Sequence, residues 1–195
     1  MNIIVLGMKH SGKSSLARNI ATHYGLNLLE TDILVEKAYD KQKGKKISFR
    51  EIVETEGMDY FRKLETEVLR KIVEQGIQNT VLDTGGGTPL SEENQELLKK
   101  LGTIVFLDLD EEENLARIIR KGIPPFFKYP NNPKKSFEEL IQERKPVYKS
   151  LADITLEVKN NTKEEVLEMF IAKYEIKKSN SQRLPRHDLS GHSSQ

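Results

Sequence analysis

The sequence contains no cysteine, and this absence excludes several kinds of site at once. A chain without thiols has no disulfide framework, no thiolate zinc site, no iron–sulfur cluster and no cysteine nucleophile. An excess of charge of one sign is also missing, because 31 lysines and arginines nearly balance 30 aspartates and glutamates. General binding to nucleic acid or to an anionic membrane is therefore not indicated, and any anion site must be local.

Long apolar runs are absent as well. The first apolar run, residues 3–6, is far shorter than the hydrophobic region of a signal peptide or a membrane-spanning helix, and no basic segment precedes it. We therefore expect a cytoplasmic protein. The 195 residues, of which 36% are hydrophobic, are enough for one compact domain.

The sequence alternates between strand and helix patterns, and its apolar strands are mostly uninterrupted, which is typical of a parallel sheet buried on both faces. The predicted strands are residues 2–6, 27–30, 80–83, 103–108 and 154–158. The predicted helices cover 13–24, 32–40, 48–56 and 59–75, and others start near Glu92, Glu111, Ser136 and Thr162. Ser136 and Thr162 are each followed three residues later by glutamate, which is capping-box spacing. This order predicts a three-layer α/β fold, with a five-stranded parallel sheet flanked by helices.

Two segments depart from this pattern. Residues 122–135 contain four prolines, two phenylalanines and two asparagines, so we expect residues 120–137 to form a lid rather than a regular helix. Residues 177–195 contain too few apolar side chains to offset the entropy of ordering, and we expect them to be disordered. The predicted domain is therefore residues 1–176.

Residues 7–14 match the P-loop pattern G-x-x-x-x-G-K-[ST] in full, between a predicted strand and a predicted helix. In such a loop the backbone N–H groups surround phosphates, the lysine (Lys13) reaches the β- and γ-phosphates, and the hydroxyl of Ser14 can bind Mg²⁺. The candidate nucleotide-binding residues here are Gly7, Lys9, His10, Ser11, Gly12, Lys13, Ser14 and Ser15. The expected ligand is a nucleoside triphosphate with Mg²⁺.

Carboxylates follow two of the predicted strands. Glu30 and Asp32 lie two residues apart at the end of the second strand, which predicts that both point to the same side. One carboxylate can then orient metal-bound water while the other accepts a hydroxyl proton. The structural alternative is that Asp32 only caps the next helix. Asp83 ends a buried strand as a Walker B acid does, so the candidate metal ligands are Ser14, Glu30 and Asp83.

Three consecutive glycines, Gly85, Gly86 and Gly87, follow Asp83 and Thr84. Glycines permit unusual backbone angles and let a ligand approach main-chain N–H groups, although a flexible turn is a structural alternative. Two arginines, Arg62 and Arg144, are candidates for binding a substrate carboxylate, although each alone is compatible with an ordinary surface arginine.

In this order and spacing, the motifs resemble the shikimate kinase family, small P-loop kinases that transfer the γ-phosphoryl group of ATP to a ring hydroxyl of shikimate. The resemblance covers about residues 2–172. It consists of the P-loop, E-T-D at 30–32 where the family has D-x-D, F-R-x-x-E at 61–65, the glycine triplet, and R-x-P-x-Y at 144–148 followed by Ala152 and Asp153.

The resemblance implies that Asp32 contacts the reacting hydroxyl and acts as the base, together with Lys13 at the phosphates. It implies that Arg62 and Arg144 hold the substrate carboxylate, that the glycine triplet lines the same pocket, and that residues 33–75 form the substrate-binding region. For the nucleotide it implies that Arg117 packs against adenine and that a loop containing Asn160 covers the base.

The implied activity uses ATP with Mg²⁺ as the phosphoryl donor and belongs to aromatic amino-acid precursor synthesis. The implied partner is a small-molecule substrate, with no nucleic acid and no membrane, and we expect a monomer or a weak homodimer.

The chain departs from the family pattern at three places. His10 replaces a glycine of the P-loop, which we expect to fit if its φ stays below zero. Glu30 replaces the first aspartate of D-x-D. In the lid, residues 123–126 read I-P-P-F where the family has R-P-L, so the lid arginine is missing.

The missing lid arginine leads to two expectations. We expect the lid to act chiefly by excluding water, and its cationic role to pass to Arg120, Lys121 or Lys128. It also leaves two alternatives open: a P-loop kinase for another hydroxylated carboxylic acid, such as a sugar acid, and an ATP-binding relative without catalytic activity.

Overall fold

The computed structural model describes residues 1–183, and within them five strands alternate with eight α-helices. The strands are β1 (Asn2–Gly7), β2 (Asn27–Glu30), β3 (Thr80–Asp83), β4 (Thr103–Leu109) and β5 (Ile154–Val158). The helices are α1 (Lys13–Tyr24), α2 (Thr31–Lys43), α3 (Phe49–Glu56), α4 (Met58–Glu74), α5 (Glu92–Leu101), α6 (Glu111–Lys121), α7 (Pro133–Leu151) and α8 (Lys163–Arg183). A short 3-10 turn, Thr88–Leu90, precedes α5.

All five strands are parallel, in the order β2-β3-β1-β4-β5. Successive residues of β1 point to opposite faces, so Ile3 and Val5 join a core with α1 and α8, whereas Ile4 and Leu6 join a core with α2, α4, α5 and α7. The three-layer α/β prediction is confirmed. Because the strands are parallel, β1, β2 and β3 end at one edge, where open α/β sheets bind ligands.

Local signals set several element boundaries. Helix α1 lies between two glycines in left-handed conformations, Gly12 at φ 107° and Gly25 at φ 63°, and it covers the predicted range. Helix α3 begins after Ser48, whose hydroxyl accepts from the Glu51 N–H while the Glu51 carboxylate accepts from the Ser48 N–H. Both boundaries follow from residues adjacent in sequence.

The two capping boxes predicted further along the chain differ in outcome. At α8, the Thr162 N–H donates to Glu165 over 2.9 Å and the Glu165 N–H donates to the Thr162 hydroxyl over 3.2 Å, so that box is confirmed. The box at Ser136 is wrong. Helix α7 begins earlier, at Pro133, and the Ser136 hydroxyl is buried and accepts from the Tyr129 N–H over 2.7 Å.

This earlier start shortens the predicted lid. Its first residues belong to α6 and its last five to α7, so the irregular part is residues 122–132, which we call the lid segment. Pro133 is favourable at the first position of a helix because the missing N–H has no intrahelical partner there.

The predicted boundary at residue 176 and the predicted disorder after it also need correction. Helix α8 continues to Arg183, and the Lys177 ammonium lies 2.7 Å from the Asp153 carboxylate. The prediction of disorder is therefore wrong for residues 177–183, while residues 184–195 lie outside the described residues. Across residues 1–183, no helix is both long enough and apolar enough to span a membrane.

Candidate active site

The P-loop connects β1 to α1 in a compact turn. The Ser11 N–H donates to the Met8 carbonyl over 3.2 Å, and a Cβ on Gly7 would lie 2.8 Å from the Leu107 carbonyl oxygen, so only glycine fits at that position. The N-cap residue of α1 is Gly12, which has no side chain to accept from the first N–H groups of the helix. The first N–H groups of α1 are thus available to an anion, as phosphate binding requires.

His10 lies in the same loop with φ 61°, so the expectation of a negative φ is wrong. A histidine in this conformation carries strain of about 1 to 3 kcal/mol, which the surrounding structure must hold. Burial lowers the pKa of His10, and the positive charges of Lys9, Lys13, Lys121 and Arg50 lower it further. The imidazole is therefore neutral at pH 7 and lies near cations from the P-loop, α1, α3 and α6.

Lys13 is buried, and its ammonium donates to the Met8 carbonyl over 3.0 Å. Burial lowers the pKa of Lys13, while the nearby carboxylates of Asp83 and Asp32 oppose this effect. Burial raises the pKa of Asp83, opposed by Lys13 and by a hydrogen bond with the Ser14 side chain. One cation, two carboxylates and a hydroxyl thus meet at the end of β1 and β3.

Asp32 reaches this cluster from α2, not from β2. Helix α2 starts at Thr31, so the strand alternation expected to align Glu30 with Asp32 does not apply. Asp32 lies in the first turn of α2, whose N-cap is Glu30, and no side chain caps this helix. The alternative that Asp32 serves as the helix cap is therefore excluded. Glu30 stands opposite Asp83 in the β2–β3 register, on the same face of the sheet.

The environment of Asp32 makes its carboxylate a base near neutral pH. Burial and the negative charge of Glu65 together raise the pKa of Asp32 to about 6, against the opposing charge of Lys13. An acid with a pKa in this range can be ionised at pH 7 and still accept a proton during a reaction.

Two members of the glycine triplet lie against predicted site residues. A Cβ on Gly85 would be 3.1 Å from Asp32 Oδ1. A Cβ on Gly86 would be 3.6 Å from Arg144 Nη1 and 3.7 Å from the Lys9 backbone nitrogen. The triplet therefore separates Asp32 from Arg144 and brings the P-loop close to both.

The third glycine, Gly87, is in contact with Arg62. A Cβ there would lie 2.7 Å from Arg62 Cζ, so no larger residue fits without moving the guanidinium. None of the three glycines has a positive φ, so the triplet does not use the left-handed backbone region that glycine permits. Glycine is required at position 87 because a side chain there would occupy the space of the Arg62 guanidinium.

Glu65 is a site residue to which sequence analysis assigned no role. Its side chain is almost fully buried, and it accepts from Arg62 Nη1 over 2.6 Å and from the Thr88 hydroxyl over 2.5 Å. It thereby fixes Arg62 beside Gly87. The available signal was the F-R-x-x-E motif, since residues three apart on a helix can pair.

Tyr148 was missed in the same way. It is fully buried, its hydroxyl donates to the Gly86 carbonyl, and it hydrogen-bonds the Arg144 side chain. Burial raises the pKa of Tyr148 to about 12, so the phenol stays protonated and remains a donor. The spacing of four residues between Arg144 and Tyr148 on one helix was the available signal.

A cavity of about 250 Å³ lies between the P-loop, α6 and the start of α8. Its walls include Ser15, Arg117, Asn161 and Thr162, so Arg117 and the loop before α8 line the same cavity. Asn160 is not part of the wall in the described chain.

Glu113 connects Arg117 to the loop at the start of α8. One carboxylate oxygen lies 2.5 Å from Arg117 Nη2, and the other accepts from the Asn160 N–H over 2.9 Å. Arg117 Nη1 also donates to the Ser11 carbonyl over 3.4 Å. Glu113, which sequence analysis did not single out, thus links both sides of the cavity.

The three candidate cations near the lid segment lie in different places. Lys128 is 68% exposed and pairs with Glu139 over 3.4 Å, whereas Arg120 lines the cavity described above. Lys121 is near enough to lower the pKa of His10, and so is Arg50 from α3. Lys121 is therefore the candidate that acts on the P-loop at His10, and Arg50 is a cation that sequence analysis missed.

The residues present fit Mg²⁺ only as a companion of phosphate. Among the described residues, no three histidine, aspartate or glutamate side chains group closely enough to hold a metal. Asp83 Oδ1 is buried without a hydrogen-bond partner in the described chain, and Ser14 is beside it. One or two protein oxygens with several phosphate oxygens is the usual environment of Mg²⁺ in nucleotide sites.

Comparison with known proteins agrees with this geometry. The chain is 36% identical over 175 residues to a shikimate kinase of Clostridium botulinum, covering 89% of this chain and 95% of that one. A shikimate kinase of Caldanaerobacter subterraneus is 36% identical over 173 residues, covering 89% and 95%.

Solved structures with the same fold lead to the same family. A shikimate kinase from Acinetobacter baumannii in complex with shikimate has a TM-score of 0.73 at 28% identity, covering 94% of this chain and 95% of that one. The enzyme from Aquifex aeolicus has a TM-score of 0.72 at 32% identity, covering 90% and 96%. The sequence profile of the family matches residues 9–175, and the chain therefore belongs to the shikimate kinase family.

Proposed function

We propose that the protein is a shikimate kinase that transfers the γ-phosphoryl group of ATP to a ring hydroxyl of shikimate. The observation that carries this proposal is the glycine triplet, along which Asp32, Arg144 and Arg62 lie in turn, next to Lys13 of the P-loop. A base, two carboxylate-binding cations and a phosphate loop are thus combined in one cleft.

On the acceptor side, the two guanidinium groups would bind the carboxylate of shikimate. Arginine is suited to this role because its planar group donates two parallel hydrogen bonds. Glu65 and Tyr148 each fix one of the two arginines. Asp32 would then accept the proton of the attacking hydroxyl, and its raised pKa suits it to that step.

On the donor side, the N–H groups of the P-loop and Lys13 would bind the β- and γ-phosphates, and Ser14 and Asp83 would hold Mg²⁺. The metal ion would neutralise charge on the phosphates when bound. Because phosphoryl transfer passes through a loose, charge-rich transition state, positioned cations supply most of the catalysis. Arg117 and the cavity beside it would hold the adenine base.

A kinase for a sugar acid is the second candidate, because the lid segment lacks the family's arginine. A gluconokinase from Sinorhizobium meliloti has a TM-score of 0.57 but only 16% identity, and this likeness supports the fold alone. The non-catalytic alternative is disfavoured by the conjunction of Lys13, Ser14, Asp83 and Asp32 in one cluster.

One assay separates these candidates. ADP release from ATP and Mg²⁺ would be measured with shikimate, quinate, gluconate and a nucleoside monophosphate, and the product identified by mass spectrometry. We expect phosphorylation of shikimate above all others, and none by Lys13→Ala. Preference for gluconate would favour the sugar-acid reading, and no transfer to any acceptor would favour the non-catalytic one.

The location and assembly follow from the same proposal. An enzyme that consumes ATP with a small soluble metabolite is expected in the cytoplasm, without nucleic-acid or membrane partners. We expect a monomer or a weak homodimer, which size-exclusion chromatography with light scattering can test.

A further inference from the structure

The two phenylalanines of the lid segment have different environments. Phe127 is buried in the core, its N–H donates to the Pro124 carbonyl over 3.0 Å, and Pro124 is itself buried. This turn anchors the lid segment to the domain. Phe126, in contrast, is 39% exposed, and its ring is held edge-on to that of Phe127 at 5.8 Å between centroids.

The ring of Phe126 lies against two cations that come from separate parts of the fold. Lys9 Nζ is 5.1 Å from the ring centroid and Arg144 Cζ is 5.7 Å from it, both within the range of cation–π attraction. Lys9 belongs to the P-loop and Arg144 to α7, and the Lys9 backbone nitrogen and the Arg144 guanidinium both lie near Gly86. The ring therefore joins the nucleotide side of the cleft to its acceptor side.

Neither cation has a carboxylate partner within 4.0 Å in residues 1–183. Arg144 Nε is buried without a hydrogen-bond partner in that part of the chain. Two partly buried positive charges without a direct ion-pair partner are unfavourable unless another group stabilises them or an anion binds. An aromatic face stabilises cations without neutralising them, so it leaves both charges available to an anionic ligand.

We propose that Phe126 is a positioning residue that holds Lys9 and Arg144 together at the junction of the nucleotide and acceptor sites. The inference rests on the proposed function and adds a role for the lid segment. When ATP and the acceptor bind, the phosphates and the carboxylate find both cations already aligned, so less ordering accompanies binding. The contribution requires a π face, not only apolar volume.

The test compares substitutions that separate these two properties. Phe126→Leu keeps apolar volume but removes the ring, whereas Phe126→Tyr keeps the ring. We expect Phe126→Leu to raise the KM for shikimate about threefold to tenfold, the range of cation–π contacts, with an unchanged melting temperature. Phe126→Tyr should restore the wild-type KM, and Ile123→Val, also in the lid segment, should behave as wild type.

A double-substitution cycle distinguishes this positioning role from a merely structural one. In a Lys9→Met background, Phe126→Leu should have a clearly smaller effect on KM than in the wild type, because one of its two partners is gone. Wild-type KM in Phe126→Leu, equal losses in the leucine and tyrosine variants, or full additivity with Lys9→Met would each overturn the proposal.

The proposed function and this inference fail in different ways. If the wild-type protein phosphorylates no shikimate, the function is wrong, and calorimetric titration of ATP into wild type and Phe126→Leu still tests whether the ring supports Lys9. Weaker ATP binding in Phe126→Leu, rescued by tyrosine, would support the inference, and equal binding by all three proteins would overturn it.

Discussion

Arg62 packs so closely against Gly87 that a Cβ on the glycine would lie 2.7 Å from Arg62 Cζ. The guanidinium is held on its other side by the buried carboxylate of Glu65. It is therefore fixed between a main-chain surface and a counterion, in an orientation that the helix carrying it does not determine alone.

Gly87→Ala should displace this guanidinium. We expect the KM for the acceptor to rise at least about tenfold, the factor that corresponds to losing a charge-assisted hydrogen bond of about 1.5 kcal/mol, while the KM for ATP stays nearly unchanged. Steady-state kinetics with each substrate varied in turn would measure both values.

The matched control is Gly87→Ala in an Arg62→Ala background. If the methyl group acts by displacing Arg62, the added substitution should have little effect there. A large further loss would instead mean that the glycine serves the backbone directly.

A pH dependence follows from the raised pKa of Asp32, about 6. Only the ionised carboxylate accepts a proton, so kcat/KM should fall about tenfold per unit as pH drops below this value and level off above it.

Asp32→Asn should lower kcat far more than it weakens ATP binding, as measured by turnover and calorimetry. Equal losses in both would indicate a structural role.

The charge of Glu65 gives this prediction an internal check. Because that charge raises the pKa of Asp32, Glu65→Gln should move the acidic limb of the kcat/KM profile to lower pH. A limb that stays in place would mean that another group titrates there.

The parts of the fold that could be predicted from sequence are those set by adjacent residues. The limits of α1 depend on Gly12 and Gly25, and the start of α3 depends on Ser48 and Glu51. The same reasoning failed at Ser136, where an earlier cap, Asn132, starts the helix and the serine hydroxyl bonds the lid segment instead.

The site itself was predictable only where motifs mark it. Lys13, Asp32 and the glycine triplet meet as expected, because parallel strands end at one edge of the sheet. The pairing of Glu113 with Arg117 one turn later on α6 has a spacing that sequence can suggest. The contact of Glu113 with the distant Asn160 N–H and the left-handed φ of His10 depend on tertiary and loop geometry that composition does not reveal.

The base cavity provides a prediction on the nucleotide side. Glu113→Gln removes the charge that holds Arg117 and weakens the link to the Asn160 N–H. We expect the KM for ATP to rise about twofold to fivefold, the range of a partly exposed ion pair, with no change in the KM for the acceptor. Glu112→Gln, one residue earlier on α6, should leave both values unchanged.

Phosphoryl transfer needs a cation over the γ-phosphate, and the lid segment does not supply one. Pro124 is buried, and Lys128 points away to Glu139. Lys121 acts electrostatically on His10 from α6. Lys121→Ala should therefore lower kcat on the order of tenfold to a hundredfold, because its charge would stabilise the transition state. Lys128→Ala should match the wild type, and Arg120→Ala should chiefly raise the KM for ATP.

Arg50 is the alternative source of this positive charge if Lys121 does not supply it. It acts on both Lys9 and His10 from α3. Turnover of Lys121→Ala, Arg50→Ala and the double variant, with melting temperatures measured alongside, separates the two sources of charge. A normal kcat for Lys121→Ala with a large fall for Arg50→Ala would place the cation on α3. Normal turnover in all three variants would contradict a role for either Lys121 or Arg50 as the second cation beside Lys13.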